Sequence, residues 1–441
     1  MATITSAPGV YIEEDATPSL SVNPNATAVP VFIGRFTPKE ESQLNTLVRI
    51  SSWLDYTSKF IAEVSYKAVV TVTTQKKKSK KSENSLIPEF KLESDVDVYT
   101  AHPALYVYFQ NGGGPCYIYS CFLDEGDTTS LAQLPGFIEN HEDITLLCVT
   151  EVYSDYQNIV NQQLLTLLNK NKGYFLITDS ENGKVNGTLA TSSHVSVYYP
   201  QLTIADPGPY NKDDVSVIVA GIDINDLTLA DLKKKDRALA DTISDHITEQ
   251  LANFVLTVPA SVAMAGIYCK NDAERGVWKA PANYAINGIS DVSVRITNAE
   301  QGIMNQAGIN AIRYFSGRGP VVWGARTLED NDNWRYISVR RLFDAAERDI
   351  KNAMRIMVFE PNNQPTWTRV RAAIDHYLYR LWQQGGLAGN KPEEAYFVNV
   401  GKHITMTDDE IAQGKMIVKI GMAAVRPAEF IILLFTQDMA R

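Results

Sequence analysis

Val29 to Gly34, Cys116 to Cys121, Ile144 to Val149, Gly173 to Thr178 and Val215 to Ala220 are short runs, apolar at nearly every position. They are too short for helices and lack the every-second-residue polarity of a half-exposed strand, so they predict strands buried on both faces. Between them, Pro103 to Gln110 predicts a helix, apolar at Leu105, Val107, Tyr108 and Phe109 and ended by Gly112-Gly113-Gly114. Tyr156 to Asn169 predicts another. Strands alternating with helices describe an α/β layer over roughly Val29 to Met264. The β-rich Val64 to Thr74 and the strand-like Glu89 to Leu92 flank a lysine run, Lys76 to Lys81, which reads as the tip of an inserted hairpin or small subdomain at about 64–100.

The last third changes character. Val294 to Thr297 reads as a strand, Ala299 to Ala307 as a helix, and Ile309 to Phe315 as a strand entering the turn Ser316-Gly317-Arg318-Gly319-Pro320, with Val321 to Leu328 as its hairpin partner. Arg335 to Met357 and Trp367 to Gln384 have helical spacing, the second burying Val370, Ile374, Tyr377, Leu378 and Leu381. Thr407-Asp408-Asp409-Glu410 is a capping box that starts a short helix, and the strand Lys415 to Met422 follows. The fold class is thus α/β with an α+β C-terminal part.

Both ends carry strand-formers with nowhere local to pair: Pro8 to Glu14, centred on Val10, Tyr11, Ile12 and Glu13, and Pro427 to Phe435, centred on Phe430, Ile431, Ile432, Leu433 and Leu434. A strand needs partners for its row of N–H and C=O groups. Two readings are open: arms that add to sheets in neighbouring copies, or arms that fold back onto their own domain.

Composition bounds the function. The chain has 441 residues, 45% hydrophobic and 21% charged, enough for two or three domains. The start, Met1-Ala2-Thr3-Ile4-Thr5, has no secretory signal pattern, and no apolar run approaches the roughly 20 residues of a membrane span. A net charge of -10 argues against nucleic-acid binding, which needs a basic footprint. The lysine run reads first as a solvated loop, with polyanion binding or nuclear targeting as the weaker alternative. Cys116, Cys121, Cys148 and Cys269 lack metal-ligand spacing and read as buried thiols; Cys116 and Cys121, on one strand, face opposite sides.

Local motifs for chemistry are few. Gly112-Gly113-Gly114 opens onto a strand and lacks the Lys-Ser/Thr of a phosphate loop, and Val322 stands where a dinucleotide fingerprint needs its third glycine. The six histidines form no close pair, and Ser316 lacks a nucleophile-elbow frame. No catalytic, cofactor or metal residue is assigned. The face Arg340, Arg341, Asp344, Glu347, Arg348 reads either as exposed helix surface or as a polar contact with another subunit.

Several segments resemble the tail sheath proteins of contractile phage tails and extracellular contractile injection systems. They are Pro8 to Glu14, Gly266 to Asn283, Ala307 to Asn310, Trp323 to Thr327, Trp334 to Leu342, Val358 to Asn362 and Arg426 to Phe430. The resemblance is strong over 266–441, moderate over 103–259 and thin over 37–100, where the lysine insertion departs from it. It implies an N-terminal strand-exchange arm at 1–20, an outer α/β domain at 21–264, an inner α+β tube-facing domain at 265–425 and a C-terminal arm at 426–441. The terminal strands would be donated to inner domains of neighbours, with the segment around Val418 to Ala424 as acceptor, and Pro18, Pro24 and Pro427 would flank hinges. Thr407, Asp408, Asp409 and Glu410 would face the tube.

The implied partners are further copies and sheath paralogues in a helical sheath, an inner tube protein, and baseplate and terminator or cap proteins, with no nucleic acid, no membrane insertion and no cofactor. Such a protein is assembled in the bacterial cytoplasm and released within an extracellular phage-tail-like particle or virion, and the basic insertion leans toward the extracellular systems. A non-contractile or capping subunit of the same kind of particle, and an unrelated α/β enzyme, stay open as alternatives.

Overall fold

The structure is a computed structural model that describes residues 20–61, 67–75, 87–93, 100–123, 129–152, 154–168, 172–185, 189, 192–204, 216–219, 227–252 and 255–430. Two compact units form: one from 26–344 with 426–441, the other from 1–25 with 345–425.

The larger unit is built on an eight-stranded sheet. In chain order its strands are β1 (Pro30–Gly34), β2 (Leu47–Ile50), β3 (Cys116–Ser120), β4 (Leu146–Val149), β5 (Phe175–Asp179), β6 (Val195–Tyr199), β7 (Ile309–Phe315) and β8 (Gly319–Val322). Their order across the sheet is β8-β7-β6-β5-β4-β1-β3-β2. The six inner strands pair in parallel, and β2 and β8 close the two edges antiparallel.

The continuous apolar runs have the expected cause. Phe32, Ile118, Leu146, Cys148, Phe175, Ile177 and Tyr198 belong to one core. Their chain neighbours Val31, Tyr117, Tyr119, Leu147, Val149, Leu176 and Val197 belong to another. The first core takes in α1 (Ala101–Gln110) and α3 (Ala260–Arg275), the second α2 (Asp155–Leu168) and Met304 of α4 (Asn298–Gln306). Cys116 and Cys121 fall in opposite cores, and all four cysteines are free. At Gly266 a Cβ would run into the carbonyl of Tyr108, so α3 approaches α1 only because that position is bare.

The start of α3 has no capping side chain of its own. Asp179, at the end of β5, supplies one from a distance: its carboxylate accepts from Ser261 N at 2.9 Å, Ser261 Oγ at 2.6 Å and Gln157 Nε2 at 3.1 Å. Burial outweighs these bonds and pushes the carboxyl up to about 6. A folded-state value above the unfolded 3.8 means the fold prefers the protonated acid. The group's penalty is therefore absent below about pH 4, grows as pH rises and is complete above about pH 6. Asp179→Asn is expected to remove that dependence: between pH 7 and pH 4 the wild type gains stability relative to the variant by up to roughly 3 kcal/mol, read from urea titrations. A difference that is flat with pH would refute it.

Two small sheets complete the larger unit. Lys67–Gln75 and Ile87–Glu93 form the expected antiparallel hairpin, whose lysine tip lies outside the described residues. Ser216–Val219 joins this hairpin in parallel and pairs with Leu227–Thr228, so the run at Val215 to Ala220 is not a strand of the main layer. Leu256–Val258, Leu202–Ile204 and Asp291–Val292 make the other sheet. The strand expected at Val294 to Thr297 is replaced by Asp291–Val292, because Thr297 and Glu300 form a capping box that commits Thr297 to the start of α4.

The smaller unit holds α6 (Gln364–Gln383), α7 (Asp408–Ala412) and a two-stranded antiparallel sheet of β9 (Tyr396–Val400) and β10 (Val418–Met422). Between α4 and α6 runs α5 (Ile337–Met354). The compact units divide at 344/345, and residues 265–344 supply strands β7 and β8 and most of α3 to the large sheet and its core.

Candidate assembly interface

The sequence points to assembly, so the informative places are the roots of the two terminal segments and the sheet that might receive strands. Val10, Tyr11, Ile12 and Glu13, and Ile431, Ile432, Leu433 and Leu434, lie outside the described residues. Phe430 is described: it lies in no strand and is 72% exposed.

Immediately before it, Glu429 is held tightly. Arg326 donates from Nε at 3.0 and 3.1 Å to its two oxygens and from Nη2 at 2.7 Å. Asn305 Nδ2 donates at 2.8 Å and the Tyr336 hydroxyl at 3.3 Å. Burial opposes the charge on Glu429, but the bonds from Arg326 and Asn305 outweigh it and hold the carboxyl below the usual range. Arg326 is fixed in turn. Its Nη1 donates to the Asn305 carbonyl at 3.1 Å, and its backbone exchanges two hydrogen bonds with the Asn310 side chain at 2.7 and 2.8 Å. Asn310, on β7, also donates to the Val197 carbonyl of β6 at 3.1 Å. Gly324 lies against Asn310 where a Cβ has no room, and β8 ends at Val322, short of the expected Leu328.

The N-terminal root is held within each unit separately. In the smaller, Asp349 Oδ1 accepts from Asn25 N at 2.9 Å and Asn25 Nδ2 at 2.8 Å, while its other oxygen accepts from the Tyr377 hydroxyl at 2.9 Å. In the larger, Asp272 accepts from Arg341 at 3.0 and 2.6 Å and from Thr27 Oγ1 at 2.5 Å, and Arg341 Nη2 also reaches the Thr27 carbonyl at 3.2 Å. The Arg341 guanidinium lies 4.7 Å from the centre of the Tyr268 ring.

This corrects the polar face expected on α5. Arg340, Arg341 and Asp344 are buried inside the chain. Arg340 pairs with Asp344 at 2.8 Å and lies over the Trp334 ring, so these charges are engaged within the chain and do not form an exposed helix surface. Of the five, Glu347 is exposed and Arg348 half-buried. The capping box at Thr407 and Glu410 is present, with Thr407, Asp408 and Asp409 exposed and Asp408 paired to Lys402 at 2.6 Å.

Among the described residues the β9–β10 sheet has no third strand on either side. Along β9, Tyr396, Val398 and Val400 are buried while Phe397 and Asn399 are exposed. Past β10 the chain continues in hydrogen-bonded contact, with Ala423 N donating to Ala395 O at 2.8 Å and Ala388 N to Ala423 O at 2.7 Å.

Phe359, in the same unit, has φ 74° and its side chain is fully exposed. A bulky residue in the left-handed region is strained and here buries nothing in return. The turn is pinned on its C-terminal side by Asn362, which bonds Trp367 Nε1 and the Lys415 carbonyl, and by Asn363, which caps α6. Phe359→Gly is expected to raise the stability of the unassembled protein by about 1 kcal/mol, despite deleting an aromatic side chain. A loss of stability in thermal melts would refute the strain at this position.

No local motif marks Arg326, Asn305, Tyr336, Asp272 or Asp349 for a role. Arg326 and Glu429 both lie in segments that carry the family resemblance, but nothing in either segment says that they meet. Among the described residues no group of three or more His, Cys, Asp or Glu is placed to hold a metal ion, and no helix is long and apolar enough to cross a membrane.

Comparison with known proteins names the family. Residues 188–328 match the phage tail sheath protein central domain and residues 329–438 the phage tail sheath C-terminal domain. A chain in the cryo-EM structure of the anti-feeding prophage helical sheath in its contracted state is 48% identical, with 99% of this chain and 100% of that one covered and a TM-score of 0.74. A chain in the anti-feeding prophage baseplate structure, 6-fold symmetrised, is also 48% identical, with the same coverage and a TM-score of 0.73. A chain of the extracellular contractile injection system PVC sheath complex in the contracted state is 38% identical over 99% of both chains, with a TM-score of 0.68.

Among curated relatives, the tail sheath protein of Vibrio phage KVP40 is 30% identical over 134 residues, 30% of this chain and 20% of that protein. A putative prophage major tail sheath protein of Pseudomonas aeruginosa is 25% identical over 190 residues, 42% of this chain and 47% of its own length. The chain thus spans less than half the length of the curated relatives it matches. With two sheath domains matched end to end over more than half its length, and likeness to contracted-sheath chains over nearly all of it, the chain belongs to the tail sheath family of contractile phage tails and extracellular contractile injection systems.

Proposed function

We propose that this protein is the structural, non-enzymatic sheath subunit of an extracellular contractile injection particle. Copies polymerise helically around an inner tube, and contraction of the sheath drives the tube through a target envelope. The observation that carries this reading is the β9–β10 sheet, which among the described residues has no third strand beside it, in a chain whose two ends hold strand-forming sequence without a local partner. Val10 to Glu13 and Phe430 to Leu434 are the donated strands in this reading, and β10 with its continuation to Ala424 belongs to the acceptor. Head-to-tail contacts of this kind do not close on themselves, so they give a filament.

The exposed, acidic start of α7 (Thr407, Asp408, Asp409, with Glu410) is assigned to the tube-facing surface, and Glu347 and Arg348 to contacts between copies. Assembly takes place in the bacterial cytoplasm before release, with a baseplate and a terminal cap at the two ends of the sheath. A second reading, a subunit that stays at the baseplate as a ring, has one observation in its favour: a 48%-identical chain occurs in a 6-fold symmetrised baseplate structure.

Negative-stain electron microscopy of the protein, alone and co-expressed with the products of its genomic neighbours, separates these. Long hollow tubes with oblique striations are expected. Short rings only would favour the baseplate reading, and dispersed monomers under both conditions would refute polymerisation.

A further inference from the structure

We propose that the Arg326–Glu429 clamp is the fixed root of the C-terminal arm: it passes load from the arm into the central sheet and sets the arm's hinge beyond residue 429. This rests on the sheath reading for the arm's purpose, while the clamp itself is a property of the single chain. The connection runs without a gap from Glu429 to Arg326, from the Arg326 backbone to Asn310 on β7, and from Asn310 to Val197 on β6. Both charged side chains are largely withdrawn from water, Arg326 at 13% and Glu429 at 20% exposure. The guanidinium fork grips both carboxylate oxygens, a geometry that resists pulling from more than one direction.

One residue later, Phe430 is exposed. Pro427 therefore lies on the sheet side of the clamp and is not where the arm swings.

The test uses the full chain with its tube partner. Glu429→Gln and Arg326→Lys each keep the size of the side chain but lose the charge or the fork. Both are expected to raise amide exchange at residues 426–430 by about tenfold or more while β4, β5 and β6 keep their protection, and to cut the sedimentable tube fraction by a similar factor. A Gly-Ser insertion between Arg426 and Pro427 should leave tubes intact, since Glu429 still seats. The same insertion between residues 430 and 431 should impair them.

Unchanged exchange at 426–430 in both variants overturns the clamp. Equal effects of the two insertions overturn the placement of the hinge, as does normal tube yield from variants whose exchange has risen. If a point variant fails to fold, the insertions decide. If the wild type makes no tubes, the sheath reading fails, and the exchange measurement, which needs no assembly, still decides the clamp.

Discussion

Removing residues 431–441, with the Glu429 clamp left in place, is expected to abolish tubes at protein concentrations where the wild type assembles; removing residues 1–15 should do the same. Each arm is read as a strand of about five residues that meets the main chain of a neighbour. Such a strand makes several backbone hydrogen bonds at about 1 kcal/mol net apiece, besides burying apolar side chains at about 25 cal/mol per Å². Losing four such bonds weakens one contact by roughly three orders of magnitude, and a helical polymer repeats that loss at every subunit. The measurement is sedimentation followed by negative stain. Tubes of normal length and number from either truncation would rule out strand exchange at that end, although the chain would remain a member of its family.

The largest effect on stability is expected at the buried pair of Asp272 and Arg341, 5% and 4% exposed at the side chain. Burial disfavours the charge on Arg341, and the Asp272 carboxylate more than compensates, so the guanidinium stays charged and Asp272 cannot be removed without stranding it. Asp272→Ala or Arg341→Met should each cost about 3–5 kcal/mol, a fall of roughly 5–15 °C in melting temperature. The double variant Asp272→Leu with Arg341→Met should recover most of the loss, because the desolvation cost then disappears with both charges. Single variants that melt within about 2 °C of the wild type would show that water reaches this pair.

What could be read from the sequence follows from how local its cause is. The strands of the large sheet are legible because burial on both faces writes a continuous apolar run, as in Phe175 to Ile177. The capping box at Thr407 is legible because its partners lie three residues apart. The strand wrongly placed at Val294 to Thr297 marks the limit of apolar pattern alone, for the Thr297 and Glu300 pair that ends it was present in the same segment. The charged clamps were not legible. Arg326 meets Glu429 across 103 positions and Arg341 meets Asp272 across 69, and helical spacing on α5 offered nearer partners that suggested a surface face. Likewise, Ser216–Val219 has the composition of a core strand but pairs with a hairpin far back in the chain, a choice that local pattern does not encode.

The position of β7 beside β6 also imposes an order on synthesis. β6 is complete at Tyr199, but the strand that covers its open edge begins only at Ile309. At cytoplasmic rates of about 5–20 residues per second, that edge waits roughly 5–20 s, a parallel-sheet template displayed on every nascent chain of a crowded polysome. The strand-forming segment after residue 430 emerges later still, once β7 and β8 are available to close the sheet. On the sheath reading, translation order thus holds back the C-terminal strand, though not the N-terminal one, until the last strands of the large sheet exist.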